Sequence, residues 1–404
     1  MVKKKYDRIA ILTRGVTGGG VQKMSVNLAN QLVCMGFKVD LLSPKQGDNQ
    51  YIDPRVNVIL MRPSSNLVAR WTCYKAAPDL LKVTFFPVII PLLFPRSLLF
   101  VSDLAAYMEE YKPLALISAT TYLNIAALLS KRLVKQKIKI LISERTNLTE
   151  TINSLKNRFT FRWRFVPNLI KHIYQESDAI ISVSDGVGLD LAKVAGLSRE
   201  KIRTINNPVL PVTRDEQQKR NDFIYSIKQA STEPHFVIVG RLVSIKRIDL
   251  AISAFNLFLK KTDSGKLTIV GSGPKRKKLE RMVRRLKLQE KIKFIGWVDT
   301  SLQILRKADI CLLTSAREGS PNILIEAMYC GCQIVATNCP NGPFEILKGG
   351  ALGKLINEAD AELISDAMID IIKNPIDKDL LLSRSLDYTA FESANQYLDS
   401  LDLL

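Results

Sequence analysis

The stretch that most constrains this chain runs from Asp309 to Gly331, DICLLTSAREGSPNILIEAMYCG. Ile310 to Leu313 is an uninterrupted apolar run, short enough to be a buried parallel strand. A Gly-Ser-Pro-Asn turn at 319–322 follows, and Ile323, Leu324, Ala327 and Met328 then gather on one side of a helix. Pro321 stands where a helix start tolerates proline. A strand that ends in a glycine turn and opens a helix presents unpaired amides and a positive dipole end, which suit an anion. Glu318 precedes the turn and Glu326 lies in the helix, with seven residues between them. Carboxylates repel an anion but bind hydroxyls well. The stretch therefore points to a ligand that carries both groups, a nucleotide-activated sugar.

The same strand–turn–helix unit recurs along the chain. Arg8 to Leu12 reads as a strand, followed by the glycine-rich turn 13–20, a helix over about 21–35 ended by Gly36, and a strand over 38–42. G-x-G-x-x-G is absent, so this is not the dinucleotide fingerprint. Gly18, Gly19 and Gly20 either bring backbone close to a ligand or simply make a tight turn. Further strands are expected at 114–118, 139–143, 179–184 and 201–205, and the second of these runs into Glu144-Arg145-Thr146-Asn147. Residues 211–233 are polar and read as the domain boundary. Beyond it come strands at 236–239, 267–270, 293–295 and 333–336, with helices over 249–260 and 275–286. Alternation of this kind predicts an α/β protein with two doubly wound, Rossmann-like parallel sheets. The division expected is 1–210, with the helix at 387–404 packing back on it, and 211–386.

The 404 residues suffice for two or three cored domains, and 47% hydrophobic residues exclude a disordered chain. A net charge of +19 implies anionic partners: nucleic acid, an anionic membrane surface or phosphorylated substrates. The apolar run behind the basic start is too short for a signal peptide, and no run of transmembrane length follows. The six scattered cysteines read as reduced structural thiols of a cytosolic protein, and His172 and His235 alone do not make a metal site.

Two segments keep open readings. In 83–101, Pro87, Pro91 and Pro95 break any regular helix, leaving either a hydrophobic lip for a membrane surface or a buried segment. In 156–171, Arg158, Arg162 and Arg164 alternate with Phe159, Phe161, Trp163 and Phe165. This run is an amphipathic segment, a lipid-headgroup contact or a base-stacking surface.

Arg241 and Lys246 follow a strand end and Gly240. Arginine binds phosphate bidentately and lysine supplies a compact charge, so the pair can hold a diphosphate; the alternative is ordinary surface charge. Breaking an anomeric carbon–oxygen bond to a diphosphate develops negative charge on the leaving group, which fixed cations stabilise. No Asp-x-Asp pair suggests a divalent cation.

These residues together resemble the retaining glycosyltransferases of family 4, with the GT-B fold of two Rossmann-like domains facing each other across a cleft. The resemblance rests on Glu318 to Glu326, Gly240-Arg241 to Lys246-Arg247, Val270-Gly-Ser-Gly-Pro274, the glycines at 18–20, Ser182 to Asp185, Asn207-Pro208 and Asn341-Gly342-Pro343-x-Glu345. It implies that Arg241 and Lys246 grip the donor diphosphate and, with Glu318 at the donor sugar, carry catalysis. It implies that Glu326 binds the ribose, that Gly319, Ser320, Pro321, Asn322 and Ile323 line the sugar and distal phosphate, and that Gly271, Gly273, Gly18 and Gly19 approach the donor. Glu144, Arg145 and Asn147 are assigned to the acceptor side. Gln22 and Glu144-Arg145 depart from the glutamate and histidine that many members carry at those places. The expected activity is metal-independent, cofactor-free, retaining transfer of a hexose or N-acetylhexosamine from a nucleoside-diphosphate sugar, with UDP the expected nucleotide. The expected acceptor is a glycan or polyprenyl-pyrophosphate-linked glycan, at the inner face of the cell membrane. Two other readings are a basic nucleic-acid-binding protein, disfavoured because no such module is visible, and an inactive sugar-nucleotide-binding paralogue.

Overall fold

The computed structural model describes residues 7–47, 50–90, 94–154, 162–211 and 233–404. The chain divides into two compact units, Met1–Pro211 with Ala390–Leu404, and Val212–Thr389. All but the end residues of the linker expected over 211–233 lie outside the described residues, as do Pro91, Arg158, Phe159 and Phe161.

The first unit is built on seven parallel strands: β1 (Arg8–Leu12), β2 (Lys38–Ser43), β3 (Asn57–Leu60), β4 (Ala115–Ala119), β5 (Lys139–Glu144), β6 (Ala179–Ser182) and β7 (Ile202–Thr204). Their order is β3-β2-β1-β4-β5-β6-β7. Successive strand residues face opposite ways. Ile9 and Ile11 enter a core shared with Leu28 and Leu32 of the helix Gly20–Cys34 and with Tyr397 and Leu398 of the C-terminal helix Ala390–Asp399. Ala10 and Leu12 enter the opposite core, with Leu104, Leu128 and Ile170 from the helices Val101–Tyr111, Thr121–Lys131 and Val166–Ile173. Burial on both faces is why these strands are apolar runs rather than alternating ones.

The second unit has six parallel strands: β8 (His235–Val239), β9 (Lys266–Val270), β10 (Ile292–Gly296), β11 (Ile310–Leu313), β12 (Gln333–Thr337) and β13 (Lys354–Ile356), in the order β10-β9-β8-β11-β12-β13. Phe236 and Ile238 face the helix Ile248–Thr262, where the Phe236 and Phe258 rings meet edge to face at 4.8 Å. The two sheets share one winding plan. In each, the strand order reverses between the first and fourth strands, β1 and β4 in one and β8 and β11 in the other. Such a reversal opens a crevice at the carboxyl ends of the strands, where ligands bind in open α/β sheets.

The proline-rich segment is buried in part and exposed in part. Leu81–Thr84 is one helical turn, Phe85–Ile89 a wide π turn, and Arg96–Phe100 a 3₁₀ turn. Val88, Phe94 and Leu98 are core residues, whereas Phe85, Phe86 and Ile90 are exposed. In the basic-aromatic run, Phe165 stacks on Phe86 at 4.8 Å and Trp163 meets Tyr122 edge to face at 5.1 Å. These two rings pack within their own unit. No helix among the described residues is long and apolar enough to cross a membrane.

Candidate functional site

In the second unit the site grows from the ends of β8 and β11, adjacent parallel strands in register from Ile310 opposite Phe236. After β11 the chain stays extended and ties down the loop that follows β8. The Ala316 amide donates to the Ile245 carbonyl at 2.8 Å, and the Thr314 hydroxyl donates to the Lys246 and Arg247 carbonyls at 3.1 and 2.9 Å. Arg247 takes a left-handed conformation, φ 45°, which a β11 anchor can hold. The result brings the Lys246 ammonium to 2.5 Å from Glu318 Oε1. Arg241 is exposed on the same loop, with no side-chain partner among the described residues.

The other half of that loop is held by the turn after β9. The Leu242 amide donates to the Ser272 carbonyl at 2.8 Å and the Lys275 amide to the Leu242 carbonyl at 3.0 Å. Gly271 and Gly273 allow this approach. Both have positive φ, and a Cβ would stand 2.0 Å from the Gly240 carbonyl oxygen at Gly271 and 2.5 Å from that of Leu242 at Gly273. The nearest thing to these glycines is thus the Arg241 loop itself.

The turn 319–322 is backed by Gly342, whose Cβ position lies 2.5 Å from Pro321 Cδ. Pro321 precedes the helix Asn322–Tyr329 as its extended cap residue, with no side-chain cap. Helix-start amides near Glu318 and Lys246 can receive an anion. Glu326 is buried in that helix and accepts a hydrogen bond from the Ser301 hydroxyl. Burial, and then the field of Glu318, push the Cys339 thiol up to about 12, so this neighbour is not a ready nucleophile. Among the described residues no three His, Cys, Asp or Glu side chains cluster as metal ligands would.

In the first unit the polar edge centres on Glu144, at the end of β5 and 1% exposed. Tyr174 donates to its Oε1 at 2.5 Å, Thr121 to its Oε2 at 3.1 Å and Asn124 to Oε1 at 3.3 Å. Burial raises the Glu144 carboxyl to about 7 despite these donors and the nearby Arg14 charge. Arg145 is turned inward: its guanidinium donates to Asn207 Oδ1 and, at 3.0 Å, to the Tyr397 hydroxyl. Asn147 Oδ1 accepts from the Glu150 amide at 2.8 Å and caps a short helix. Gly18 and Gly19 are exposed beside the start of the helix Gly20–Cys34, and a Cβ on Gly18 would meet the Gln22 side chain at 3.4 Å.

Sequence reasoning missed Thr314, Ser301, Thr121, Asn124 and Tyr174. A strand-end threonine and a helix-opening serine were the available signals for the first two. Nothing local marks Tyr174, which reaches Glu144 across 30 residues.

Comparison with known proteins gives both halves a counterpart. Residues 18–211 match the family model described as Glycosyltransferase Family 4, and residues 219–387 match Glycosyl transferases group 1. The N-acetyl-alpha-D-glucosaminyl L-malate synthase of Bacillus anthracis is 25% identical over 253 residues, 62% of this chain and 62% of that protein. In Campylobacter jejuni, the N-acetylgalactosamine-N,N'-diacetylbacillosaminyl-diphospho-undecaprenol 4-alpha-N-acetylgalactosaminyltransferase is 27% identical over 264 residues, 64% of this chain and 66% of that protein. The match thus spans just under two thirds of each of these two relatives. An uncharacterized glycosyltransferase of Haemophilus influenzae is 25% identical over 363 residues, 89% of this chain and 88% of its own length. Among solved structures, HepE of Anabaena in complex with UDP and glucose superposes with a TM-score of 0.71 at 15% identity, covering 98% of this chain and 99% of that one. The lipopolysaccharide outer core galactosyltransferase WaaB, in its apo form, gives a TM-score of 0.65 at 17% identity, with coverage of 98% and 99%. At these identities the structural likeness carries the fold.

Proposed function

The chain belongs to the glycosyltransferases of the family 4 and group 1 type, with the GT-B fold, and from that premise we propose that it is a retaining, metal-independent hexosyltransferase. The donor is a nucleoside-diphosphate sugar, with UDP the expected nucleotide. The moved group is a hexose or N-acetylhexosamine. The acceptor is a glycan or a polyprenyl-pyrophosphate-linked glycan at the inner face of the cell membrane. The observation that carries this reading is the Lys246–Glu318 pair at the strand-order reversal, with exposed Arg241 on the same loop.

Arg241 and Lys246 take the diphosphate, and their charge grows in value as the anomeric bond breaks and the leaving phosphate becomes more negative. Glu318 accepts from hydroxyls of the sugar being moved. Glu326 accepts from the ribose, with Ser301 holding its carboxylate in place. The amides of Gly319 to Ile323 meet the sugar and distal phosphate. The acceptor hydroxyl enters on the face the diphosphate leaves, and the leaving phosphate takes its proton, so configuration is retained. On the acceptor side, buried Glu144 acts through Thr121, Asn124 and Tyr174, which it holds in place, while Arg145 and Asn147 shape the edge beside it. Support for a phosphorylated donor and a lipid-linked acceptor comes from the UDP complex of HepE and the diphospho-undecaprenol substrate in the Campylobacter relative's name.

The test is a donor screen: the protein is incubated with each nucleotide sugar and candidate acceptor lipids, with EDTA present, and released nucleoside diphosphate is measured. Release with one donor, lost in Arg241→Ala and Lys246→Ala variants that melt like the wild type, is the expected result. Wild-type turnover in either variant overturns the assignment.

A further inference from the structure

The loop that presents Lys246 to Glu318 turns its next residue the other way. Arg247 lines a cavity of about 470 Å³ between the start of the helix Ile248–Thr262 and the helix Arg276–Arg285. None of Arg241, Lys246, Glu318, Glu326 or residues 319–323 lines it. Its walls carry five cations, Arg247, Lys275, Lys278, Arg281 and Arg285, against one carboxylate, Asp249. Asp249 already lies 3.7 Å from Arg247. Lys275, Lys278 and Arg285 have no carboxylate partner among the described residues. The floor is apolar, from Ile248, Leu279 and Met282.

This arrangement costs the folded chain something. Lys275, Lys278, Arg281 and Arg285 follow one another at spacings of three, three and four, so they share one helix face, where like charges repel. Lys275 and Lys278 also stand at the helix start, whose first turn holds no acidic residue, and the dipole there disfavours cations. An ordinary solvated face would spread such charges or interleave carboxylates. Here they converge on a concavity into which a second helix also opens its first turn, at Ile248 and Asp249. An anion in the cavity would meet guanidinium and ammonium donors together with two helix starts, which is the environment that favours phosphate.

We propose that this cavity is a phosphate-binding site separate from the donor site, taking the phosphate or diphosphate group of a phosphate ester. The ester can be a soluble phosphorylated compound or the headgroup of an anionic lipid, since both offer the same chemistry to these side chains.

The experiment uses the full chain and reads hydrogen exchange at 243–249 and 276–285. The probes are inorganic diphosphate and, separately, phosphatidylglycerol vesicles, with phosphatidylcholine vesicles as control. Three proteins are compared: wild type, Lys246→Ala, which disables the donor site, and the combined Lys278→Gln, Arg281→Gln, Arg285→Gln variant, checked for unchanged melting. Exchange should slow at both segments in the wild type and in Lys246→Ala, and the triple variant should need at least ten times more probe for the same protection. Protection by diphosphate marks a soluble ligand; protection by phosphatidylglycerol alone marks a lipid. Absence of protection with either probe, or equal protection in the triple variant, overturns the proposal. Failure of transfer in the donor screen would leave this result untouched.

Discussion

The Lys246 ammonium lies 2.5 Å from Glu318 Oε1, with the two side chains 24% and 12% exposed. The pair closes the gap between the loops after β8 and β11, at the reversal of strand order. A half-buried ion pair of this kind is held as much by its anchors as by its charge: Thr314 and Ala316 fix the backbone around Lys246. On the proposed reading, an incoming diphosphate competes with Glu318 for the ammonium, and sugar hydroxyls take the place of Lys246 at the carboxylate.

Glu318→Gln should therefore separate binding from transfer. Nucleoside-diphosphate affinity should stay within about threefold or tighten, because Lys246 is released, while kcat falls about 100-fold or more as sugar hydroxyls lose a charged acceptor. Calorimetric titration with UDP beside steady-state transfer measures both. Loss of nucleotide affinity in parallel with kcat would make Glu318 a support for Lys246 and no more.

Gly271→Ala should behave as a folding mutation. Its Cβ would meet the Gly240 carbonyl oxygen at 2.0 Å, at φ 132°. The expected cost is on the order of 3 kcal/mol, roughly 10 °C in Tm for a unit of this size. Gly18→Ala would meet only the Gln22 side chain, at 3.4 Å, and should cost on the order of 1 kcal/mol. Thermal melts of the two variants give the ranking directly, and equal losses would contradict it.

Glu144 should make the first unit less stable as pH rises. Its carboxyl stands at about 7 in the folded chain against 4.5 for an ordinary glutamate, chiefly through burial. Between those values the folded state holds a proton that the unfolded state has released, so stability is greatest below 4.5 and falls as pH rises to 7. The linked change is on the order of 3 kcal/mol. Glu144→Gln keeps an acceptor for Tyr174 and removes the charge. It should flatten that pH dependence and raise Tm at pH 8, which melting curves across pH 4.5–8 would check.

Leu67→Ser with Trp71→Ser should weaken binding to phosphatidylglycerol vesicles about tenfold. These side chains are 79% and 56% exposed on the helix Asn66–Ala76, where Lys75 stands over the Trp71 ring, and Phe85, Phe86 and Ile90 are exposed nearby in sequence. Exposed aromatic and apolar groups beside a cation suit a headgroup layer. Unchanged sedimentation with vesicles would reject the membrane reading.

The central strands were legible because they are buried on both faces and read as apolar runs. β3 and β13 were not. Both sit at sheet edges, and Asn57–Leu60 and Lys354–Ile356 are short and contain no fully buried residue. The site divides the same way. Arg241, Lys246, Glu318 and Glu326 stand at strand ends or in the following helix, at positions that periodicity marks. Their supports do not, because Thr314 reaches Lys246 across 68 residues and Ser301 reaches Glu326 across 25. The resemblance set Gly271 and Gly273 against the donor, whereas the atoms nearest their Cβ positions belong to the Gly240–Leu242 backbone. Arg145 read as a polar edge residue, yet its partner Tyr397 is 252 positions away.

That last distance bears on the order in which the chain can be made. A ribosome releases the first unit's sheet early, but Tyr397, Leu398 and Leu401 of its core emerge only after the whole second unit. Until then Ile9, Ile11, Leu28 and Leu32 lack part of their cover, and the Arg145 guanidinium lacks the Tyr397 hydroxyl. Domains usually fold in the order of synthesis. Here the unit that is begun first is finished last, so the nascent chain carries an uncovered apolar face, open to chaperones and to aggregation, through most of its translation.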